Sequence, residues 1–412
     1  MNNHDPYAAL KLKDYRRYFI GNLIVYFGVH MQTTAVGWDI YTRTNSELAL
    51  GLAGLAQFFP VILLFLVSGH VADRFNRKWI VTFAVALIAI ASMGLALISH
   101  YELDTRLIYV CLFMIGVART FQQPARAALL PLIVPQKQFN NAVTWNSSGF
   151  HLASVLGPAA GGFCIKWFNG PTFIYVIDVF AALTFVCMLS TIRLHRKQVT
   201  QSQNNLSLKE LAAGFHFIRR QQVVLGALLL DLFAVLLGGA ITLLPVYAED
   251  ILKTGPEGLG WMRAAPAVGA LVMAFIIAHR PPMRRTGIVL LWSVVGFGVA
   301  TIVFGLSKIF WLSLLMLFLT GAFDNVSVVI RNTLVQTLTP DELRGRVSAV
   351  NSMFIGASNE LGGFESGIVA HWFGPVFSVV SGGIGTIAVV AITAVSLPKL
   401  RRQDRLEQDS AE

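Results

Sequence analysis

The chain has 412 residues, 13% of them charged and 55% hydrophobic, with a mean hydropathy of +0.63. A soluble domain carries about 25% charged residues, so water is excluded as the main solvent. At about 20 residues per membrane span, the length is used up by about a dozen helices, with little left for a soluble domain.

The first apolar stretch runs over about 18 to 42 behind Lys11, Lys13, Arg16 and Arg17. It is too long for a signal peptide, lacks a small-residue cleavage site and is followed at once by another span, so it reads as a retained first helix. Further apolar runs bounded by Gly, Pro and charge place helices at about 48 to 70, 79 to 99, 106 to 127, 141 to 166 and 171 to 192. A second set follows at about 222 to 247, 258 to 279, 286 to 306, 309 to 331, 347 to 372 and 374 to 396. The expected organisation is a six-helix half over 1–192, a linker over 193–221, a second six-helix half over 222–398 and a tail over 399–412. In the linker Leu208, Leu211, Phe215 and Ile218 recur at helical spacing, as in an amphipathic helix lying at a membrane interface.

The net charge of +10 is compatible with nucleic-acid binding, but its location argues for membrane insertion instead. Alternate connections and the two ends carry 25 of the 32 Lys and Arg, the intervening connections carry six, and Arg119 alone falls inside a span. The positive-inside rule then puts both termini in the cytoplasm, and no nucleic-acid partner is needed. Cys111, Cys164 and Cys187 are odd in number and sit in apolar runs, so they read as packing residues rather than disulfides or metal ligands.

An offset of 205 residues superimposes the fourth and fifth spans on the tenth and eleventh without a gap. Gly116 meets Gly321, Arg126 meets Arg331, Pro135 meets Pro340, Asn146 meets Asn351, Gly157 meets Gly362, Gly162 meets Gly367 and Trp167 meets Trp372. A register kept over some fifty residues at about half the chain length argues for duplication of a six-helix unit. Six being even, the halves share orientation, as in transporters with parallel repeats. The same offset sets Arg119 against Asp324, so the halves match where helices are expected to pack and differ at two ionisable groups.

Between the second and third spans stands Gly69-His70-Val71-Ala72-Asp73-Arg74-Phe75-Asn76-Arg77-Lys78. It resembles the G-x-x-x-D-R-x-x-R-K signature of the major facilitator superfamily, with Gly69 allowing close helix approach, Asp73 able to face a helix N-terminus, and Arg74 and Arg77 able to bind carboxylates or lipid headgroups. Gly157-Pro158-Ala159-Ala160-Gly161-Gly162 is similar to the glycine-proline motif of that superfamily's antiporters; Gly157, Gly161 and Gly162 permit tight packing and Pro158 removes a backbone donor. Arg119 and Gln122 match the R-x-x-Q of a third motif, whose following glycine is replaced by Gln123 and Pro124. The segments Leu338–Asn351, Asn359–Gly367 and Leu243–Ala248 resemble the branch that contains bacterial enterobactin-type exporters.

The resemblance implies an all-helical fold of twelve transmembrane helices in the bacterial inner membrane. It also implies proton-driven efflux of a siderophore or amphipathic drug, through a cavity lined by the first, fourth, seventh and tenth spans. A lone charge in a span should face a polar cavity or a partner. A carboxylate removed from water has its neutral form favoured, as a proton-coupling group requires. Asp231 and Asp324 are the strongest coupling candidates, followed by Asp39, Glu360, Asp178 and Glu365, with Arg119 and Gln122 as cavity residues. Asp39 and Glu365 can equally be hydrated near the outer surface, and Arg119 and Asp324 either meet in some transport state or are each satisfied locally. No phosphate-binding loop or nucleophile–base signature occurs, so neither ATP drive nor an enzyme is expected. No cofactor or metal is expected, His30 and His151 sharing no ligand spacing, and the partners are a small molecule, protons and lipid around a monomer. Uptake or facilitated diffusion, including metal-ion export, is the second reading, and a non-transporting sensor the third.

Overall fold

A computed structural model describes residues 5–194, 208–281 and 285–401. Arg196, Lys197, Arg284, Arg402 and Arg405, the linker over 195–207, nearly all of the tail, and the side chains of Asp73, Leu208 and Leu211 lie outside what is described. The first half holds α1 (Lys13–Thr44), α2 (Glu47–Arg74), α3 (Arg77–His100), α4 (Arg106–Ile133), α5 (Phe139–Trp167) and α6 (Thr172–Thr191). After α7 (Leu208–Arg220) come α8 (Gln222–Leu237), the short α9 (Leu244–Val246), α10 (Gly255–Ala278), α11 (Thr286–Leu306), α12 (Phe310–Leu338), α13 (Asp341–Phe373), α14 (Pro375–Ser396) and α15 (Pro398–Arg401). Among the described residues nine helical segments are long and apolar enough to cross a membrane. The other three long helices, α1, α4 and α13, are those that carry Asp39, Arg119 and Arg126, and Glu360 and Glu365.

Helix ends follow local chemistry. Asn76 caps α3 by accepting a hydrogen bond from the Lys78 amide at 3.0 Å, α4 ends at Ile133, two residues before Pro135, and α13 opens on Asp341 and Glu342, which suit a helix N-terminus. The seventh span is not the single helix expected over 222–247. It breaks at Gly238-Gly239, passes through a 3-10 turn (Ala240–Leu243) and α9 with its Pro245, and ends in a π-helical turn (Tyr247–Ile251). The doublet permits the break because side chains there would strike Phe297 and the backbone of Gly362.

The chain divides into two compact units, Met1–Thr44 with Ala56–Asn205, and Asn45–Leu55 with Leu206–Glu412. The division falls inside the linker. The first turns of α2 belong with the second unit, where Gly51 lies on the backbone of Phe364 and Gly54 lies beside Glu360. The two units repeat one pattern of packing: α1 on α5 and α6, with α3 on α4 and α6, is matched by α8 on α13 and α14, with α11 on α12 and α14. The duplicated glycines fall on equivalent crossings. Gly116 brings α4 onto the Gln57 carbonyl of α2 and Gly321 brings α12 onto the backbone of Pro266 in α10; Gly157 brings α5 onto His30, and Gly362 brings α13 onto Val235 and Leu236.

Three expectations are corrected. Trp167 and Trp372, 79% and 72% exposed, do not pack; they project from the ends of α5 and α13, where an aromatic belt would meet lipid headgroups. A Cβ on Gly69 would meet nothing within 4 Å, so this glycine makes no close helix approach in this conformation. Arg126, Arg263 and Arg331, counted as connection residues, lie inside α4, α10 and α12. Helix α7 packs on α13, with Ile218 fully buried among Val224, Val335, Val347 and Val350, while Phe215 is exposed.

Candidate functional site

In the second unit, α8, α11 and α12 enclose a small cavity lined by Asp231, Ser293, Phe297, Phe323, Asp324 and Ser327, among others. About 10 Å³ of it is open to the centre of a water molecule, enough for about one water. The structure thus brings together the two carboxylates singled out from sequence. Asp324, Ser327 and Arg331 stand at i, i+3 and i+7 on one face of α12. Arg331 pairs directly with Asp231, the two side chains 2% and 9% exposed. Asp324 has no hydrogen-bond or ion partner among the described residues.

The equivalent face of α4 in the first unit carries Arg119, Gln122 and Arg126. Arg119 donates to Gln57 Oε1 at 3.0 Å, and Gln122 is buried with an unpartnered Nε2. Arg126 donates to Asn22 on α1 and lies 4.6 Å from the centre of the Tyr26 ring. A second buried carboxylate, Asp178 on α6, accepts from Ser92 Oγ at 2.7 Å, and that hydroxyl accepts in turn from Gln32 Nε2 at 2.7 Å.

Asp39 occupies a different setting. It accepts from Arg43 Nε at 2.5 Å and from the Tyr175 hydroxyl at 3.1 Å, while Arg43 also donates to the carbonyls of Ile98, Ser99 and Leu103. This clamp ties the end of α1 to α3 and α6. Replacing Arg43 by Ala strands a carboxylate that is 4% exposed, and should lower stability by about 3 kcal/mol, read as a lower unfolding temperature of the detergent-solubilised protein. A loss no larger than that of an exposed control, Arg106→Ala, would show that the clamp carries no weight.

The motif between α2 and α3 works through helix ends. Arg77 donates to the carbonyls of Ala72 and Ala128, both at 3.4 Å, and Lys78 Nζ donates to those of Ser190 and Ile192, both at 2.9 Å. These cations meet the negative ends of α2, α4 and α6, while Arg74 is exposed. In α5, Gly157, Pro158, Gly161 and Gly162 are all buried, with Gly161 against Met31 and Thr34 of α1. Glu360 is half-buried beside Gly54.

A family model described as transmembrane secretion effector matches residues 4–412. The chain belongs to that family. The chain is 25% identical over 389 residues to the enterobactin exporters of Shigella boydii serotype 18 and Escherichia coli O81, covering 94% of this chain and 92% of each relative. Among solved structures, a single-residue mutant of the nucleoside transporter NupG has a TM-score of 0.72 at 12% identity, covering 94% of this chain and 100% of its own. A bacterial homologue of the lysosomal transporter Spinster, in an inward-facing and occupied conformation, has a TM-score of 0.71 at 14% identity, covering 99% and 100%. These establish the major facilitator fold. The protein is a secondary transporter and not an enzyme, a multi-pass protein of the bacterial inner membrane.

Sequence reasoning missed Arg331 and Arg126, because an arginine near the end of an apolar run reads as a connection residue. The signal was present in the repeat, where Arg126 and Arg331 are a charged identity among packing glycines.

Proposed function

We propose that the protein is a proton-coupled exporter of a small amphipathic molecule, a siderophore or a drug, working by alternating access as a monomer with both termini cytoplasmic. The relatives' activity supports export, and the lysine and arginine distribution supports the orientation. The observation that carries proton coupling is the juxtaposition of Asp231 and Asp324 around one water-sized cavity. One carboxylate is held by Arg331; the other has no partner among the described residues. A proton reaching Asp324 through the cavity water cancels the charge that a membrane-embedded carboxylate must otherwise carry, and its departure restores that charge. If Arg331 turns from Asp231 to the ionised Asp324 on its own helix face, protonation at one carboxylate is felt at the other. That exchange links proton occupancy to the packing of α8 against α12. Arg119 and Gln122 supply polar contacts to the substrate from the first half, and Glu360 lies where the first turns of α2 meet α13.

In proteoliposomes with an imposed pH gradient, Asp324→Asn is expected to reduce gradient-driven flux by about 10²-fold or more, the scale of losing a required proton carrier. Counterflow of substrate without a gradient should persist. Full gradient-driven transport by both Asp324→Asn and Asp231→Asn would refute the coupling assignment, and inward-directed flux in whole cells would refute export.

A further inference from the structure

The two halves treat their equivalent arginines differently. Arg331 of α12 pairs with Asp231 of α8. Subtracting 205 from both gives Arg126 of α4 and Tyr26 of α1, and these two also touch, the guanidinium carbon lying 4.6 Å from the Tyr26 ring centre and 5.7 Å from that of Phe185. The first half therefore keeps the cation and the crossing but not the anion. Among the described residues the groups that contact Arg126 are neutral: Asn22, which accepts from it and itself donates to Asn146 at 3.3 Å, and the two aromatic rings. Its Nε is buried without an acceptor, and no carboxylate partners it among the described residues. Yet it is not sealed, since Arg126, Tyr26 and Asn146 each keep partial exposure.

Resting on the transport reading above, we infer that Arg126 recognises an acidic group of the substrate, whose anion takes the place that Asp231 fills in the second half. A guanidinium inside a membrane helix is costly without a counter-charge. The Tyr26 face and Asn22 hold it in position by cation–π attraction and one hydrogen bond, but neither neutralises it. Its remaining N–H groups form a fork suited to a carboxylate or a similar oxyanion. The cargo class is thus an amphipathic molecule carrying at least one anionic group, its apolar or aromatic part meeting Tyr26 and Phe185.

The test uses a matched pair of probes, dansylglycine and its neutral amide, whose fluorescence reports binding to the purified full-length protein. The wild type is expected to bind the carboxylate about 10- to 100-fold tighter than the amide, the scale of a charged hydrogen-bonded contact. Arg126→Gln should bind the two alike, while Arg126→Lys keeps part of the preference. Tyr26→Asp, which copies the second half's arrangement, should abolish the preference in a protein that elutes as a single species and unfolds at or above the wild-type temperature. Tyr26→Phe, which keeps the ring face, should retain it. Equal or absent binding of the two probes by the wild type, or a preference that survives both Arg126→Gln and Tyr26→Asp, overturns the inference. A pH gradient that drives both probes equally through the wild type leaves the transport reading standing and sinks this one. Preferential binding of dansylglycine with no driven flux of any compound does the reverse.

Discussion

Replacing Arg331 by Met lowers the unfolding free energy of the purified transporter by about 3–5 kcal/mol, the cost of leaving a buried carboxylate without its cation. Arg331 is 2% exposed and the Asp231 side chain 9%, and the cavity beside Asp231 has room for about one water, too little solvent to replace a lost cation. Asp231→Asn alone leaves the mirror-image fault, a buried guanidinium facing a neutral amide. The double variant Asp231→Asn with Arg331→Met removes both charges, and should recover most of the loss, because an apolar filling of a buried ion pair is often neutral or better. Unfolding of the four proteins in one detergent closes a double-mutant cycle. Losses that simply add would mean that the two side chains are not coupled. Arg126→Met is the internal comparison: it leaves behind only neutral Asn22 and Tyr26, and should cost clearly less.

The second large effect belongs to the crossing of α10 and α12. A Cβ placed on Gly321 would lie against the Pro266 carbonyl, carbonyl carbon and Cα, all of them backbone. A flexible side chain could turn aside, but a helix backbone must translate, so Gly321→Ala should fall at the upper end of the 1–3 kcal/mol typical of overpacking, about 3 kcal/mol. Gly116→Ala should behave alike, since its Cβ would strike the Gln57 backbone. Gly69→Ala has open space around it, and should be neutral or stabilise by about 0.5–1 kcal/mol through better helix propensity. A thermal-unfolding series in which Gly321→Ala equals Gly69→Ala would contradict the packing described for these helices.

Much of this protein was legible in its sequence. The succession of long membrane helices follows from the length of the apolar runs, because a helix must satisfy every backbone group internally to cross lipid; nine of them are apolar enough among the described residues. The duplication follows from identities at Gly116 and Gly321 or Gly157 and Gly362, because close helix contact admits little but glycine and so preserves it in both copies. Asp231 and Asp324 stood out because a carboxylate in an apolar run is costly enough to need a reason.

Partnership was not legible. A soluble helix shows which face is inward by contrast with a polar outer face, but lipid makes the outer face apolar too. The sequence therefore does not show which way α8 or α12 is rotated. Only the tertiary structure sets Arg331 on Asp231, 100 residues away, or shows that Asp39 is held by its neighbour Arg43 and by Tyr175. It also decided that α8 breaks at Gly238-Gly239, a doublet that within a span reads equally as close packing, and that Trp167 and Trp372 face outward although they keep the register of the buried glycines. The chain determined which charges enter the membrane. The packing of helices distant in sequence decided which of them are neutralised and which, like Arg126, have no carboxylate partner among the described residues, because that depends on helix rotation and crossing rather than on any local pattern.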